Sequence, residues 1–393
     1  MTQLLPHATN TTIKGIVLLS LALSLTACTS DDARPSDSQG ASAVDVVENH
    51  EAGWKAGREW SAAAQPTLEI GSEERGYQFA GIRGASRLSD GRIVVGDAGT
   101  SEVRLYDGQG RFVSAAGRSG GGPEEFRAMG RLVAAAGDSV VAFDAATRRI
   151  SVLGPSGAFA RSLTPEAATL GASLAGVLEN GSFVVGIPRP LPPRDGLSRD
   201  SVVYLLISPD GSTADTLGVA PGGQQYQRID GSRVTRLTVP FGPMPAASAS
   251  GNRIFIGATD RYEIREFGPD GAATRVIRRQ VEPQAFTEAH FRAVADQFPQ
   301  MATALAEIPR PSQAPVFAAL LVDRENNLWV QDYPSPGATS ISWTVFDPQG
   351  RMLGQVSLPS NFRPTDIGAD YILGVWTDEL GVERVRMYPL RKP

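Results

Sequence analysis

Between residues 67 and 393, short apolar runs alternate with tight-turn signals at regular intervals. Six runs open on a turn: Asp90-Gly-Arg-Ile-Val-Val, Gly137-Asp-Ser-Val-Val-Ala, Asn180-Gly-Ser-Phe-Val-Val, Gly251-Asn-Arg-Ile-Phe-Ile, Asn326-Asn-Leu-Trp-Val and Ala369-Asp-Tyr-Ile-Leu. Asp-Gly and Asn-Gly accept the positive φ that tight hairpins need, and the β-branched and aromatic residues after them favour strands. A second turn recurs five times, as Asp107-Gly-Gln-Gly110, Gly154-Pro-Ser-Gly157, Ser208-Pro-Asp-Gly211, Gly268-Pro-Asp-Gly271 and Asp347-Pro-Gln-Gly350. Proline presets φ at its second position and glycine closes the fourth. Each unit therefore reads as two linked hairpins, or about four antiparallel strands.

The first apolar residues of the six copies, Ile93, Val140, Phe183, Ile254, Leu328 and Tyr371, lie 47, 43, 71, 74 and 43 residues apart. A period near 45 with four strands per unit is the signature of a β-propeller, whose blades pack around an axis. The expected class is all-β, a six-bladed propeller with four-stranded antiparallel blades. The last unit offers three strands, Pro364 to Gly368, Tyr371 to Thr377 and Glu383 to Leu390. Thr67 to Ile70 is expected to supply the fourth and to close the ring without an exposed edge.

The two long steps hold insertions, and loops of this length in a compact repeat are often functional. Gly186 to Arg199 carries four prolines and three arginines; it reads as a stiff extended segment whose Arg189, Arg194 and Arg199 are candidate contacts for anionic sugar or phosphate groups. Phe286 to Ile308 reads as a helical pair. Thr287 is the N-cap, Phe286, His290, Val294 and Phe298 recur every four residues, and Pro299 ends that helix and starts a second with Met301, Leu305 and Ile308. Helices this short need a surface to pack on, so Phe286, His290, Val294 and Phe298 are candidate partner-binding or channel-covering residues.

Ahead of the repeats, Lys14 precedes the apolar run Gly15 to Leu25, and Leu25-Thr26-Ala27-Cys28 contains the only cysteine of the chain. A positive flank, a short apolar stretch and small residues before a cut site make a secretory signal, and the cysteine resembles that of the bacterial lipobox. The resemblance implies cleavage before Cys28, lipidation of its thiol, and a membrane anchor stable through more than one acyl chain. The expected organisation is signal peptide over 1–27, flexible tether over 28–50 and propeller over 51–393. No Asp directly follows Cys28, which favours the outer membrane, facing periplasm or cell surface. One cysteine leaves no internal disulfide.

A net charge of −5 excludes a general basic footprint for nucleic acid. Gly117-Arg118-Ser119-Gly120-Gly121 fits a nucleophile elbow formally, but no helix follows it. Histidines occur only at 7, 50 and 290, too dispersed for a zinc site. Asp97, Asp144 and Asp332 occupy equivalent positions after the second strand of their units, where an aspartate either converges on a cation or ends its strand by accepting nearby backbone N–H groups. Asp323, Glu325 and Asn327 lack the glycine and distal glutamate of a calcium loop. No catalytic residue, cofactor or metal ligand is assigned.

The segment Gly117-Arg-Ser-Gly-Gly-Gly-Pro-Glu-Glu-Phe126, followed by Val140 to Asp144 and Ile150 to Gly157, resembles the glycine-rich loop and phenylalanine of propellers with NHL-type repeats. The likeness runs over most of residues 67 to 390. It implies six blades, on a scaffold that serves binding proteins, lyases and lactone hydrolases alike. The expected function is a monomeric, lipid-anchored envelope propeller that binds a protein or glycan partner without catalysis. The alternative is a metal-assisted hydrolase or lyase using carboxylates in the central channel.

Overall fold

The computed structural model describes residues 44–71, 78–297 and 299–393, so the expected signal segment and Cys28 lie outside the described residues. Strands hold 52% of the chain and helices 5%, which makes the fold all-β. Three strands precede the first repeat: β1 (Asp45–Asn49), β2 (Ser61–Ala62) and β3 (Leu68–Ile70). One antiparallel sheet is then built from β4 (Ile82–Arg87), β5 (Ile93–Asp97), β6 (Glu102–Tyr106) and β7 (Phe112–Ala116), and the next from β8 (Met129–Ala134), β9 (Val140–Asp144), β10 (Arg149–Leu153) and β11 (Phe159–Leu163).

A ten-stranded sheet follows. It holds β12 (Ser173–Val177), β13 (Phe183–Arg189), β14 (Gly196–Ile207), β15 (Ala214–Asp230) and β16 (Arg233–Thr238), then β17 (Pro245–Ser250), β18 (Arg253–Ala258), β19 (Glu263–Phe267) and β20 (Ala273–Arg279), with β1 on the edge of β20. After helices α1 (Glu288–Gln297) and α2 (Ala302–Ala306) come the sheet β21 (Phe317–Val322), β22 (Leu328–Asp332), β23 (Ser340–Phe346) and β24 (Met352–Pro359) and the sheet of β25 (Phe362–Ile367), β26 (Tyr371–Thr377) and β27 (Glu383–Arg391). The blades of four antiparallel strands stand in a propeller arrangement.

Six separate sheets are not what the hydrogen bonds define. Four sheets stand alone and the ten-stranded sheet joins the rest, through one parallel bridge between Gly176 of β12 and Ala249 of β17. The join needs a glycine: a Cβ at residue 176 would lie 1.8 Å from the carbonyl oxygen of Ala249, so backbones meet where a side chain would hold the strands apart.

The core lies between sheets. Phe126, fully buried, sits with Leu105, Met129 and Leu153 between the first two. Gly117 lets it in: its φ of +97° suits glycine, and a Cβ there would stand 2.9 Å from the Phe126 ring.

The expected closure by the N-terminal strand is present. β3 pairs antiparallel with β27, and Glu69 accepts Arg386 at 2.6 Å and Arg384 at 3.2 Å. The tether expected over 28–50 is corrected at its end, where β1 runs parallel to β20. Arg275 and Arg278 of that edge bind Asp45 and Glu48 at 3.2 and 3.3 Å. The chain then moves to the next blade, where Asn49 accepts Met352 N–H at 2.7 Å and Trp54 N–H donates to Leu353 O at 2.8 Å. It ends on β27, which β2 also pairs. Residues 45–70 thus cross three successive outer edges.

The proline-rich segment is also corrected. β13 and β14 extend as a paired hairpin, Arg189 opposite Ser201, rather than as a separate stiff connection. The pairing of β13 with β12 ends at Gly186, so Pro188 removes no ladder bond on that side, and Pro190, Pro192 and Pro193 fall in the turn.

Candidate functional site

The inner strands β4, β8, β12, β17, β21 and β25 all contribute to one cavity of about 530 Å³, a volume in the range of small-molecule sites. Its shape owes much to irregular strand pairing. Register shifts fall between Ile82 and Gly84, Met129 and Leu132, Leu174 and Gly176, Phe317 and Ala319, and Pro364 and Asp366. Of the residues caught in those bulges, Arg83, Arg131, Ala175, Ala318 and Thr365 line the cavity, and Gly130, beside Arg131, does not. A bulge turns an extra side chain away from the ladder, here toward the axis.

Three lining residues are arginines: Arg83 on β4, Arg131 on β8 and Arg363 on β25. Arg131 donates from Nη1 to Ala175 O at 2.8 Å, and Arg363 from Nη2 to Ile82 O at 2.9 Å. Each side chain therefore reaches the inner strand of the next blade, which holds the guanidinium across the boundary. Burial pushes the Arg131 pKa down to about 10, with the Arg363 charge adding to the effect. Burial likewise lowers Arg363, opposed by Glu383 and assisted by Arg83. Arg131 thus remains a cation at neutral pH. Glu383 accepts Ile82 N–H at 2.6 Å and lines a smaller neighbouring cavity of about 230 Å³. No Asp, Glu, His or Cys lines the main cavity among the described residues.

None of the three equivalent aspartates Asp97, Asp144 and Asp332 lines this cavity. Asp97 is fully buried and accepts the N–H groups of Ala80 and Gly99, both at 3.1 Å, and the Thr100 hydroxyl at 3.2 Å, with Arg104 3.6 Å away. Asp144 accepts N–H groups of Arg127, Ala128 and Thr147 at 2.6, 3.0 and 2.8 Å. Burial works against its charge, but these bonds prevail and hold its pKa below the usual carboxylate range. Asp332 accepts Thr344 Oγ1 at 3.0 Å and Gln355 Nε2 at 2.7 Å, and burial pushes its pKa up. The three end their strands and do not converge. Among the described residues no group of three or more His, Cys, Asp or Glu is placed to hold a metal.

The arginines singled out on the insertion are placed apart from this cavity. Arg199 is committed to Asp260 at 2.9 and 3.3 Å and to Gly222 O at 2.8 Å, while Arg189 and Arg194 stand exposed on the hairpin and its turn. The helical stripe is mostly occupied. Val294 and Phe291 pack with Leu305 and Ile308 against Tyr226, Leu237 and Val239 beside the β15–β16 hairpin. His290 Nδ1 accepts Thr287 N–H at 3.1 Å and meets its hydroxyl at 2.8 Å, so it replaces the glutamate of a capping box. Phe286 stacks on His290, 5.3 Å between ring centroids, and burial lowers the His290 pKa. Phe298 lies outside the described residues.

The channel arginines were missed because Arg83, Arg131 and Arg363 lie in different units, far apart in the chain. A signal does exist: aligned by blade, Ile82-Arg83, Gly130-Arg131 and Phe362-Arg363 put an arginine near the start of the inner strand three times.

No protein-family model matches the chain, and no curated protein matches it. Solved structures of similar shape exist. A Bacteroides fragilis protein assigned as exported is 12% identical, covering 88% of this chain and 99% of its own, with a TM-score of 0.51. A member of the DUF4221 family from Bacteroides vulgatus is 7% identical, over 86% of this chain and 99% of its own, at 0.48. A virginiamycin B lyase from Staphylococcus aureus is 11% identical, over 84% and 99%, at 0.38. The first of these likenesses establishes the propeller fold and nothing further.

Proposed function

We propose that this chain is an exported, lipid-anchored propeller that binds an anionic ligand in its central channel and does not transform it. The carrying observation is a cavity of about 530 Å³ with three arginines and, among the described residues, no Asp, Glu, His or Cys in its lining. Guanidinium groups held in a confined space favour an anion, which repays their desolvation and mutual repulsion. Catalysis by proton transfer needs a group that titrates near neutrality; burial pushes the lining Tyr204 up to about 12. The ligand is a free or glycan-borne acid, or an acidic segment of a protein partner.

The reading includes six NHL-type blades, the ten-stranded sheet counting as two, since six inner strands share the cavity. It also includes lipidation at Cys28 and residence in the outer membrane, from the resemblance of Leu25 to Cys28 to a lipobox. The Bacteroides fragilis protein of similar fold is likewise assigned to export. Calorimetric titration with glucuronate and with glucose tests the channel. Saturable binding of glucuronate alone is expected, weakened by salt and at least tenfold by Arg131→Gln. Equal binding of the two sugars, or conversion of glucuronate, would overturn the proposal.

A further inference from the structure

The cavity wall is divided. Arg363, Arg83 and Arg131 lie on β25, β4 and β8, which follow one another around the ring, whereas β12, β17 and β21 face them with small and apolar residues apart from the Ser173 hydroxyl, and Gln331 of β22 adds one amide. Ala246, Ala247, Ala319 and Leu320 belong to that second wall, with Trp343 and Tyr204 set behind it on β23 and β14. The difference is sharpest in the bulges. The extra residue is an arginine in β4 and β8 but an alanine in β12 and β21. Equivalent positions, aimed at one axis by one backbone device, thus carry charge on one side and methyl groups on the other.

A ligand bearing only charge satisfies one wall and leaves the other in contact with water. Apolar surface removed from water contributes roughly 25 cal/mol per Å², and the mutually repelling guanidiniums are relieved only by an anion. We infer that the channel takes an amphiphilic organic anion, its acidic group on Arg83, Arg131 and Arg363 and its apolar flank on the alanine–leucine wall. This rests on the channel being the binding site and adds which class of anion enters it.

Four probes separate the two requirements in calorimetric titrations of the full chain below micellar concentration: glucuronate, octyl glucuronide, octyl glucoside and octyl phosphate. Octyl glucuronide is expected to bind at least tenfold more tightly than glucuronate and at least tenfold more tightly than octyl glucoside. Ala247→Asn, which places a polar group on the apolar wall, should erase most of the first ratio and leave the second. Arg131→Gln should do the reverse, with melting temperature confirming that both variants fold. Octyl phosphate matching octyl glucuronide assigns the head-group preference to negative charge; its failure to bind assigns it to a carboxylate, and both outcomes keep an amphiphilic anion. Equal affinity for glucuronate and octyl glucuronide overturns this inference and leaves the anion channel intact. Octyl glucoside binding as tightly as octyl glucuronide overturns the anion channel itself.

Discussion

In the sheets β4–β7 and β8–β11, strands are five or six residues long, and the second strand stops on Asp97 or Asp144, whose carboxylates accept backbone N–H groups of the adjoining turns. In the sheet that follows, the matching position is Ile187, which is buried, and the hairpin runs on until β14 and β15 reach 12 and 17 residues. The contrast is physical. A carboxylate at the strand end competes for the N–H groups that would continue the ladder, while a branched apolar residue leaves them to the neighbouring strand. In these three sheets the carboxylate goes with a tight turn and the apolar residue with an extended hairpin, and that extended hairpin carries the helical layer of α1 and α2.

Exchanging the two kinds of residue should break the contrast most severely. Asp144→Ile leaves the N–H groups of Arg127, Ala128 and Thr147 without their partner in a buried place. At about 1–3 kcal/mol for each buried donor so stranded, a loss near 4 kcal/mol is expected in urea unfolding. A loss under 1 kcal/mol would mean that the strand end does not depend on the carboxylate.

The platform can be tested without touching the ring. Leu305 is buried against Val239 and Ile308, and Leu305→Ala should cost about 2–3 kcal/mol. The loss should appear in hydrogen exchange of residues 226–239 and 288–308 rather than in β4 to β11. Equal loss of protection in both regions would refute the separation.

The smallest effect concerns pH. The Asp144 pKa is held below its ordinary value, so its contribution to stability is present above the unfolded carboxylate pKa near ~3.9 and is lost as pH falls through the lower folded value. Asp144→Asn should cost about 1–2 kcal/mol at pH 7 and flatten the acid side of the stability profile. An unchanged acid slope would contradict the role given to the carboxylate.

Much of the fold is legible because its punctuation is local. Asn180-Gly181 or Asp347-Pro-Gln-Gly350 states a turn within four residues, and the spacing of such turns states the repeat. Closure by residues 67 to 70 is legible by subtraction, from the strand that the last blade lacks. The channel site is not legible in this way. Arg83, Arg131 and Arg363 meet only through the ring, and each owes its aim to a bulge or strand start that no residue type announces. Arg189, Arg194 and Arg199 stand out by density in the chain, yet one is spent on Asp260 and two point to open surface. The strand over residues 45–49 escaped for a related reason: its partner is an edge more than 220 residues away.

The strap of residues 45–70 also sets an order of events. Glu69 meets Arg386 across 317 positions of chain, so the first strands made find their partner only when the last have been delivered. Until then β3 waits unpaired and the edge of β27 does not exist. Contacts of such separation carry a large loop-closure entropy and slow the search. Completion of the ring must therefore await the last strand. A chain clipped anywhere near its C-terminus would be left with an open seam at the blade that should bind both ends together.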